Sequence, residues 1–361
     1  MTSAVLLALA LAFVALLLFS HLKAHAFERA FPPRGQFVGT PFGRLHFTRR
    51  DPAGEPAATI VLIHGASGNQ ADMRAPLGDR LAARGFRVFA VDRPGHGYSD
   101  RLAQDASSPA AQARAIRAGL ERAGVDRAIV VGHSWAGAVA TAFALDHADF
   151  TQGIVLLAPV THPWPRGVRW YYRLAAKPVA GWLFTRTLLL PAGLAALKGA
   201  LAGVFTPQPV PRNYAGTIGA VLALRPWAFR ANAEDVADLR AHLEKQAPRI
   251  PAIALPVAIL SGDRDAVVLT ERHSYGCARE IAGATLKMLP GVGHSPHWAA
   301  PDATVETIVA LAARVQSARQ MSPDAASSAP AASSQYCSRS GSTGPGIFMR
   351  PSGTRANPMR P

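Results

Sequence analysis

The chain is expected to fold as an α/β protein, a mostly parallel central sheet flanked by helices. Three observations predict this. Short β-branched runs bounded by turn residues recur at Ala58–His64, Arg87–Asp92, Ala128–His133, Ile154–Ala158, Val257–Ser261 and Thr285–Leu289. Ala-rich stretches of helical period separate most of them, at Met73–Arg84, Ala110–Ala123, Ala136–His147, Thr270–Ile281 and Asp302–Arg314. The strand runs are apolar throughout instead of alternating, as strands are when helices cover both faces of a parallel sheet.

Composition narrows the class. The 361 residues are 49% hydrophobic, enough for a sizeable core and too much for a disordered chain. Lys plus Arg is 38 and Asp plus Glu is 23, a net charge of +15. Arg supplies 33 of the 38 cations, scattered along the chain with no nucleic-acid-binding motif, which sets a nucleic-acid partner aside. A membrane surface is the better use of this charge. Two cysteines, Cys277 and Cys337, exclude a disulfide framework and a Cys-rich zinc site.

At the N-terminus, Ala4 to Phe19 contain no polar or charged residue. With Ser20 the run makes roughly 25 Å of helix, near the lower limit for a membrane span. Two readings compete. Ala24-His25-Ala26 could be the cleavage site of a secretory signal, releasing the protein to the periplasm or the outside. Yet no cation precedes the run, and Lys23, Arg29 and Arg34 follow it. An uncleaved anchor over residues 1–22 fits this better, and positive-inside asymmetry puts the bulk of the protein on the cytoplasmic face. Gln36–Thr40 and Arg44–Thr48, around Pro41-Phe42-Gly43, read as an antiparallel edge hairpin.

The alternation is interrupted between Pro159 and Pro256. Residues 160–255 have helical period, frequent prolines and four of the six Trp: Trp164, Trp170, Trp182 and Trp227. An insert after a strand of a parallel sheet sits over the strands' carboxyl ends, where such sheets bind ligands. It is expected to be a lid, most of its aromatics packing on the body and a few lining an apolar pocket. Residues 35–159 and 256–317 form the expected body, and residues 318–361, rich in Ser, Ala, Pro, Gly and Arg, a disordered basic tail.

The strongest chemical signal is Gly132-His133-Ser134-Trp135-Ala136 at a strand-to-helix junction. A Ser in such a turn is a nucleophile elbow: the tight backbone demands small residues two positions away and lifts the hydroxyl above the sheet. Gly132 meets that demand and Ala136 replaces the commoner Gly. The helix behind it offers the Trp135 N–H to a developing oxyanion. His64-Gly65-Ala66-Ser67-Gly68 closes an earlier strand, making the Ala66 N–H the second candidate donor and giving His64 a structural task. A Ser hydroxyl needs a His to take its proton and a carboxylate to orient that His. Gly262-Asp263-Arg264-Asp265 and Gly291-Val292-Gly293-His294 both follow strands, so their side chains fall at the same sheet edge.

These motifs in this order resemble the α/β-hydrolase superfamily, in its lidded, carboxylesterase-like serine-hydrolase branch, over residues of about 35–317. The resemblance implies the acid at Asp265 in Gly-x-x-Asp-x-x-Val, the base at His294 and the nucleophile at Ser134. It leaves Asp263 a capping or ion-pairing neighbour and His297 a bystander at the pocket rim. Asp92-Arg93-Pro94-Gly95-His96-Gly97-Tyr98-Ser99 matches an architectural turn of the family. The implied chemistry is acyl transfer from an apolar small-molecule ester, with neither metal nor organic cofactor. An aminopeptidase, a lactonase and a C–C bond hydrolase share the same residues. The Ser-Trp pair resembles proline iminopeptidases, which need acids to grip an amine; the insert's acids are Glu234, Asp235, Asp238 and Glu244. A fold member acting only as a binding or accessory protein is the non-enzymatic alternative.

Overall fold

The computed structural model describes residues 2–165 and 167–320. Eight strands form one sheet: β1 (Gln36–Thr40), β2 (Gly43–Arg50), β3 (Ala58–Ile63), β4 (Phe86–Val91), β5 (Ala128–His133), β6 (Thr151–Leu157), β7 (Val257–Gly262) and β8 (Thr285–Leu289). Their order is β1-β2-β4-β3-β5-β6-β7-β8. β1 and β2 form the antiparallel edge hairpin, and all strands from β3 onward run parallel.

Around the sheet lie α1 (Thr2–Ala30), α2 (Gln70–Ala83), α3 (Pro109–Arg122), α4 (Ala136–Asp146), α10 (Thr270–Glu280), α11 (Pro296–Ala299) and α12 (Pro301–Gln320). Between β6 and β7 the insert contributes α5 (Trp170–Ala175), α6 (Pro178–Arg186), α7 (Leu189–Phe205), α8 (Tyr214–Ile218) and α9 (Pro226–Gln246). Successive strand residues serve opposite faces. Val61, Ile63 and Val130 pack with Ile116, Phe143 and Cys277 on one side. Ile60, Leu62 and Val131 pack with Met73, Leu77, Ile308 and Leu311 on the other. Two buried faces are why these strands read as continuous apolar runs.

Three features depart from the reading of the sequence. The N-terminal helix does not end near residue 22 but continues to Ala30, because no helix breaker intervenes before Pro32 and Pro33. Its last turns are integrated: Ser20 and Ala24 are buried, and Glu28 pairs with the buried Arg225 at 2.9 Å. The second concerns the insert. The end of α9 and the 3₁₀ turn that follows, Ala247–Ala252, pack in the same core as β5 and β6 through Leu239, Leu243 and Ile250. Gln246 donates to Ala138 O at 2.8 Å and Thr141 Oγ1 at 2.7 Å on α4. Helical periodicity cannot reveal whether a helix lies over a site or inside a core. Third, α12 continues to Gln320; the rest of the expected tail, residues 321–361, lies outside the described residues.

Candidate active site

Ser134 sits between β5 and α4 with φ +53°. A Cβ on Gly132 would lie 2.3 Å from Ala136 O, so the turn closes only over a glycine. The atom that Cβ would meet is the backbone carbonyl oxygen of Ala136, not that residue's side chain. Gly65 approaches from β3: a Cβ there would meet Ser134 Cβ at 3.0 Å.

The three loops that leave β5, β7 and β8 bring Ser134, Asp265 and His294 together. Asp265 Oδ2 lies 2.8 Å from His294 Nδ1, and His294 Nε2 lies 2.9 Å from Ser134 Oγ. An ionised carboxylate only accepts, so the Nδ1 proton donates to Asp265 and Nε2 is left as the acceptor for the Ser134 hydroxyl. The other Asp265 oxygen accepts from the Val267 and Val268 N–H groups at 2.8 and 2.9 Å, which fixes the carboxylate plane. Asp263 turns away and accepts from the Gly291 N–H at 2.7 Å, a capping contact. Ser134 and His294 are 8% and 4% exposed.

The Ala66 and Trp135 N–H groups have no protein acceptor among the described residues. The loop bearing Ala66 is held from two sides. Its Ser67, at φ +55°, donates its N–H to Asn232 Oδ1 at 2.6 Å, and Asn232 donates back to Ser67 Oγ at 3.1 Å. Below it, His64 bonds Gly65 O through Nδ1 at 2.8 Å and accepts the Arg93 N–H through Nε2 at 3.0 Å. His64 therefore ties the loop, as its sequence context predicts. The Trp135 indole donates to Asp235 O at 3.0 Å and lies under the Arg93 guanidinium, 4.0 Å away.

Arg93 and Asp235 anchor a buried network that motif reading did not find. Both are fully buried and meet at 2.7 Å, with Gln112 2.8 Å from the Arg93 guanidinium. Arg101 holds the other Asp235 oxygen at 2.6 Å and Glu234 at 3.1 Å. Glu234 also pairs with Arg230, Asp238 accepts from Ser107 Oγ at 2.8 Å, and Glu244 pairs with Arg240. All four acids of the insert thus have partners within the protein. Arg93, Arg101, Gln112 and Asp235 lie in different segments and meet only in three dimensions, so no local spacing marks them, whereas Arg230–Glu234 and Arg240–Glu244 are neighbours one turn apart on α9. Asp92 likewise binds far beyond its turn, accepting from the Gln70 and Tyr98 N–H groups and from His46.

His297 is not at a pocket rim. It is fully buried beneath the site, its ring 4.4 Å from that of His133 and its Nε2 3.6 Å from Asp72. The residue follows Pro296 into α11, which turns it inward. Asp72 also accepts from Tyr214 of α8 and Trp298 of α11, each at 2.9 Å. Burial alone would raise the Asp72 carboxyl, but the electrostatic pull of His297 and the Tyr214 hydrogen bond hold it below the usual range. Asp72 thus joins α2, α8 and α11 under the sheet edge that carries Ser134 and His294. Asp72→Ala leaves the buried His297 and the Tyr214 hydroxyl without their carboxylate partner and is expected to cost about 3–5 kcal/mol. Asp79→Ala, removing an exposed pair with Arg50, should cost under about 1 kcal/mol. Urea unfolding of the two variants checks the contrast.

An eight-stranded, mostly parallel sheet with Ser, His and Asp on loops at its carboxyl edge defines an α/β-fold hydrolase. The chain belongs to that family: residues 58–301 match the alpha/beta hydrolase fold. It is 30% identical over 249 residues to an uncharacterised protein of Mycobacterium tuberculosis, covering 66% of this chain and 70% of the other. It is also 30% identical over 145 residues to the 2-hydroxy-6-oxo-6-phenylhexa-2,4-dienoate hydrolase of Burkholderia cepacia, covering 37% of this chain and 49% of that one. Among solved structures, an esterase of Thermogutta terrifontis superposes with a TM-score of 0.63 at 21% identity, over 78% of this chain and 99% of that one. The enol-lactonase of Burkholderia xenovorans gives 0.60 at 23% identity, over 76% and 99%.

Proposed function

We propose that this hydrolase is a serine esterase that cleaves an apolar small-molecule ester through an acyl-enzyme on Ser134. The observation that carries the reading is the unbroken hydrogen-bond chain from Ser134 through His294 to Asp265, at 2.9 and 2.8 Å. Ser134 Oγ attacks the ester carbonyl carbon and its proton passes to His294 Nε2. Asp265 steadies the imidazolium. The Ala66 and Trp135 N–H groups receive the oxyanion. The C–O bond to the alcohol breaks and the alcohol departs with the proton from His294. A water then adds to the acyl carbon and gives a proton to His294, which passes it to Ser134 Oγ as the bond from that oxygen to the acyl carbon breaks and the acid leaves.

The insert is read as a lid over residues 160–255, since the nucleophile and base are nearly enclosed and must be uncovered for substrate to enter. Helix α1 is read as a membrane anchor, with the body on the cytoplasmic side. Its apolar turns are exposed, while its last turns are packed on the protein. Cleavage near Ala26 would sever that packed part.

C–C bond hydrolysis is the second reading, favoured by the dienoate-hydrolase relative. A dienoate is an anion and calls for a free cation at the site. Arg93, which bonds the backbone of the Ala66 loop, and Arg101 are both committed to Asp235, which supports a neutral ester. An amine-gripping peptidase would likewise need the acids already paired above.

Asp265→Asn is expected to lower kcat on a short-chain ester by about 10³–10⁴-fold, because an amide no longer fixes the His294 tautomer. Asp263→Asn should stay within about two-fold, since its N–H contact is local. Steady-state kinetics on purified variants tests the assignment, and equal losses would overturn it. A panel of esters, lactones and dienoates ranked by kcat/KM separates the substrate classes.

A further inference from the structure

Helices α6 and α7 form a bent pair, at 71° to each other, that together has the length and apolarity of a span. Their exposed faces carry almost nothing polar. The exposed positions of α6 are Pro178, Val179, Trp182 and Leu183, and among those of α7 only Lys198 is polar. Val179 is 73% and Leu188, at the bend, 55% exposed. A water-facing helix puts its polar residues outward, and contiguous exposed apolar surface marks a contact face.

Charge says what contacts it. From residue 150 to residue 233 the chain has nine Lys and Arg and no Asp or Glu. Arg225 and Arg230 find partners outside this stretch, in Glu28 and Glu234. Arg169, Arg173, Lys177, Lys198 and Arg212 are exposed and have no carboxylate partner among the described residues. An apolar face with unpaired cations about it is complementary to an anionic bilayer, where acyl chains take the apolar groups and headgroups the cations. A second copy of this chain would set like charges against each other. The face is also continuous with α1: Ser20 Oγ donates to Thr187 O at 3.5 Å, at the α6–α7 bend.

We propose that α6 and α7 dip into an anionic leaflet beside α1 as a second, re-entrant lipid contact, so that the insert, read above as a lid, opens toward the membrane. This rests on the reading of α1 as an anchor. A short path joins the face to the site. Gln208, three residues past α7, donates to Gly291 O at 2.7 Å and accepts the Gly293 N–H at 2.8 Å. Moving α7 on lipid pulls on the loop that carries His294. Apolar esters dissolved in the bilayer then reach Ser134 without crossing water.

The test uses the full chain with Cys337→Ser, leaving the fully buried Cys277 in place, and one introduced exposed cysteine per variant carrying the environment-sensitive fluorophore NBD. Labels go at Leu11 in α1, at Leu183 and Leu188, and at the exposed Arg122 in the last turn of α3. The protein is placed in vesicles of phosphatidylcholine and phosphatidylglycerol with nitroxide on the acyl chains. Labels at Leu11, Leu183 and Leu188 are expected to be quenched, and that at Arg122 not. Quenching at Leu11 alone overturns the proposal and leaves the anchor standing. Quenching at Leu183 and Leu188 without Leu11 upholds the face and removes the anchor. A blue shift at Leu188 without quenching means a protein covers the face and overturns the proposal. Leu183→Glu with Leu188→Glu should cut turnover of a vesicle-borne long-chain ester by about 10-fold or more, leaving a water-soluble ester within about two-fold. Equal turnover of both esters by variant and parent would also overturn it.

Discussion

Ser134→Ala is expected to lower kcat on a short-chain ester by about 10⁴–10⁶-fold while the protein stays folded. On the proposed mechanism the substitution removes the atom that forms the acyl-enzyme. It leaves His294, Asp265 and the two N–H donors in place, so the residual rate reflects binding and oxyanion stabilisation alone. Ala at residue 134 inherits the same positive φ that Ser134 already adopts. The structural cost is a lost hydroxyl partner for His294 Nε2, about 1 kcal/mol. Fluorophosphonate labelling of wild type and variant, beside their thermal unfolding, checks both halves. A folded variant that retained labelling, or turnover within about ten-fold of wild type, would put the nucleophile elsewhere. A folded wild type that took no label would favour the binding-protein alternative.

Acid is expected to begin unfolding the protein above the range where most carboxylates titrate. Burial, followed by the charge of neighbouring Arg93, lowers His64 to about 3. Burial, followed by His162, lowers His273 to about 4. Burial also holds His96 and His133 well below the ordinary value. The hydrogen bonds explain why these rings stay neutral. His273 Nδ1 accepts the Thr161 and His162 N–H groups at 3.2 and 3.1 Å, and His64 Nε2 accepts from Arg93 at 3.0 Å. A proton on either nitrogen would face a donor.

The sign follows from where the protons bind. Unfolded histidines take up protons below about pH 6.5, and these native ones do not. Their contribution is fully present above that pH and is lost on acidification until each native group titrates. Each group costs up to about 1.4 kcal/mol per pH unit, so four together remove about 5 kcal/mol per unit. Against a total stability of about 5–15 kcal/mol, unfolding falls between about pH 6 and 4. Asp72, whose carboxyl is held low, adds its loss only below about pH 4. Urea midpoints measured across this range should fall steeply with pH. A flat profile between about pH 6.5 and 4 would mean the buried rings can ionise in place.

Much of the site was legible because its chemistry is local in the chain. The elbow needs Gly132 two residues before Ser134, and the strand–turn placement of Asp265 and His294 puts both at one edge. The periodic apolar runs gave the strands within a few residues, since two covered faces leave no polar position inside them. The supports of the site were not legible. Arg93, Asp235 and Asn232 are ordinary charged and polar residues until the fold brings residues more than one hundred positions apart into contact. His297 shows the same limit, since its distance from His294 in sequence says nothing about which way α11 turns it.

The sequence by itself therefore determined the α/β class, the chain order in which Ser134, Asp265 and His294 reach one sheet edge, and the presence of a long helical insert. Each of these rests on periodicity or on a turn whose geometry a few adjacent residues dictate. Only the tertiary structure decided that the end of the insert belongs to the core and that α9 braces both the Ala66 loop and Trp135. It also decided that α1 is stitched to the body through Glu28 and Arg225. Those outcomes depend on which buried polar groups find partners once the chain is packed. An unpaired buried charge is costly enough to dictate the arrangement, and that cost cannot be assigned before the partners are in contact.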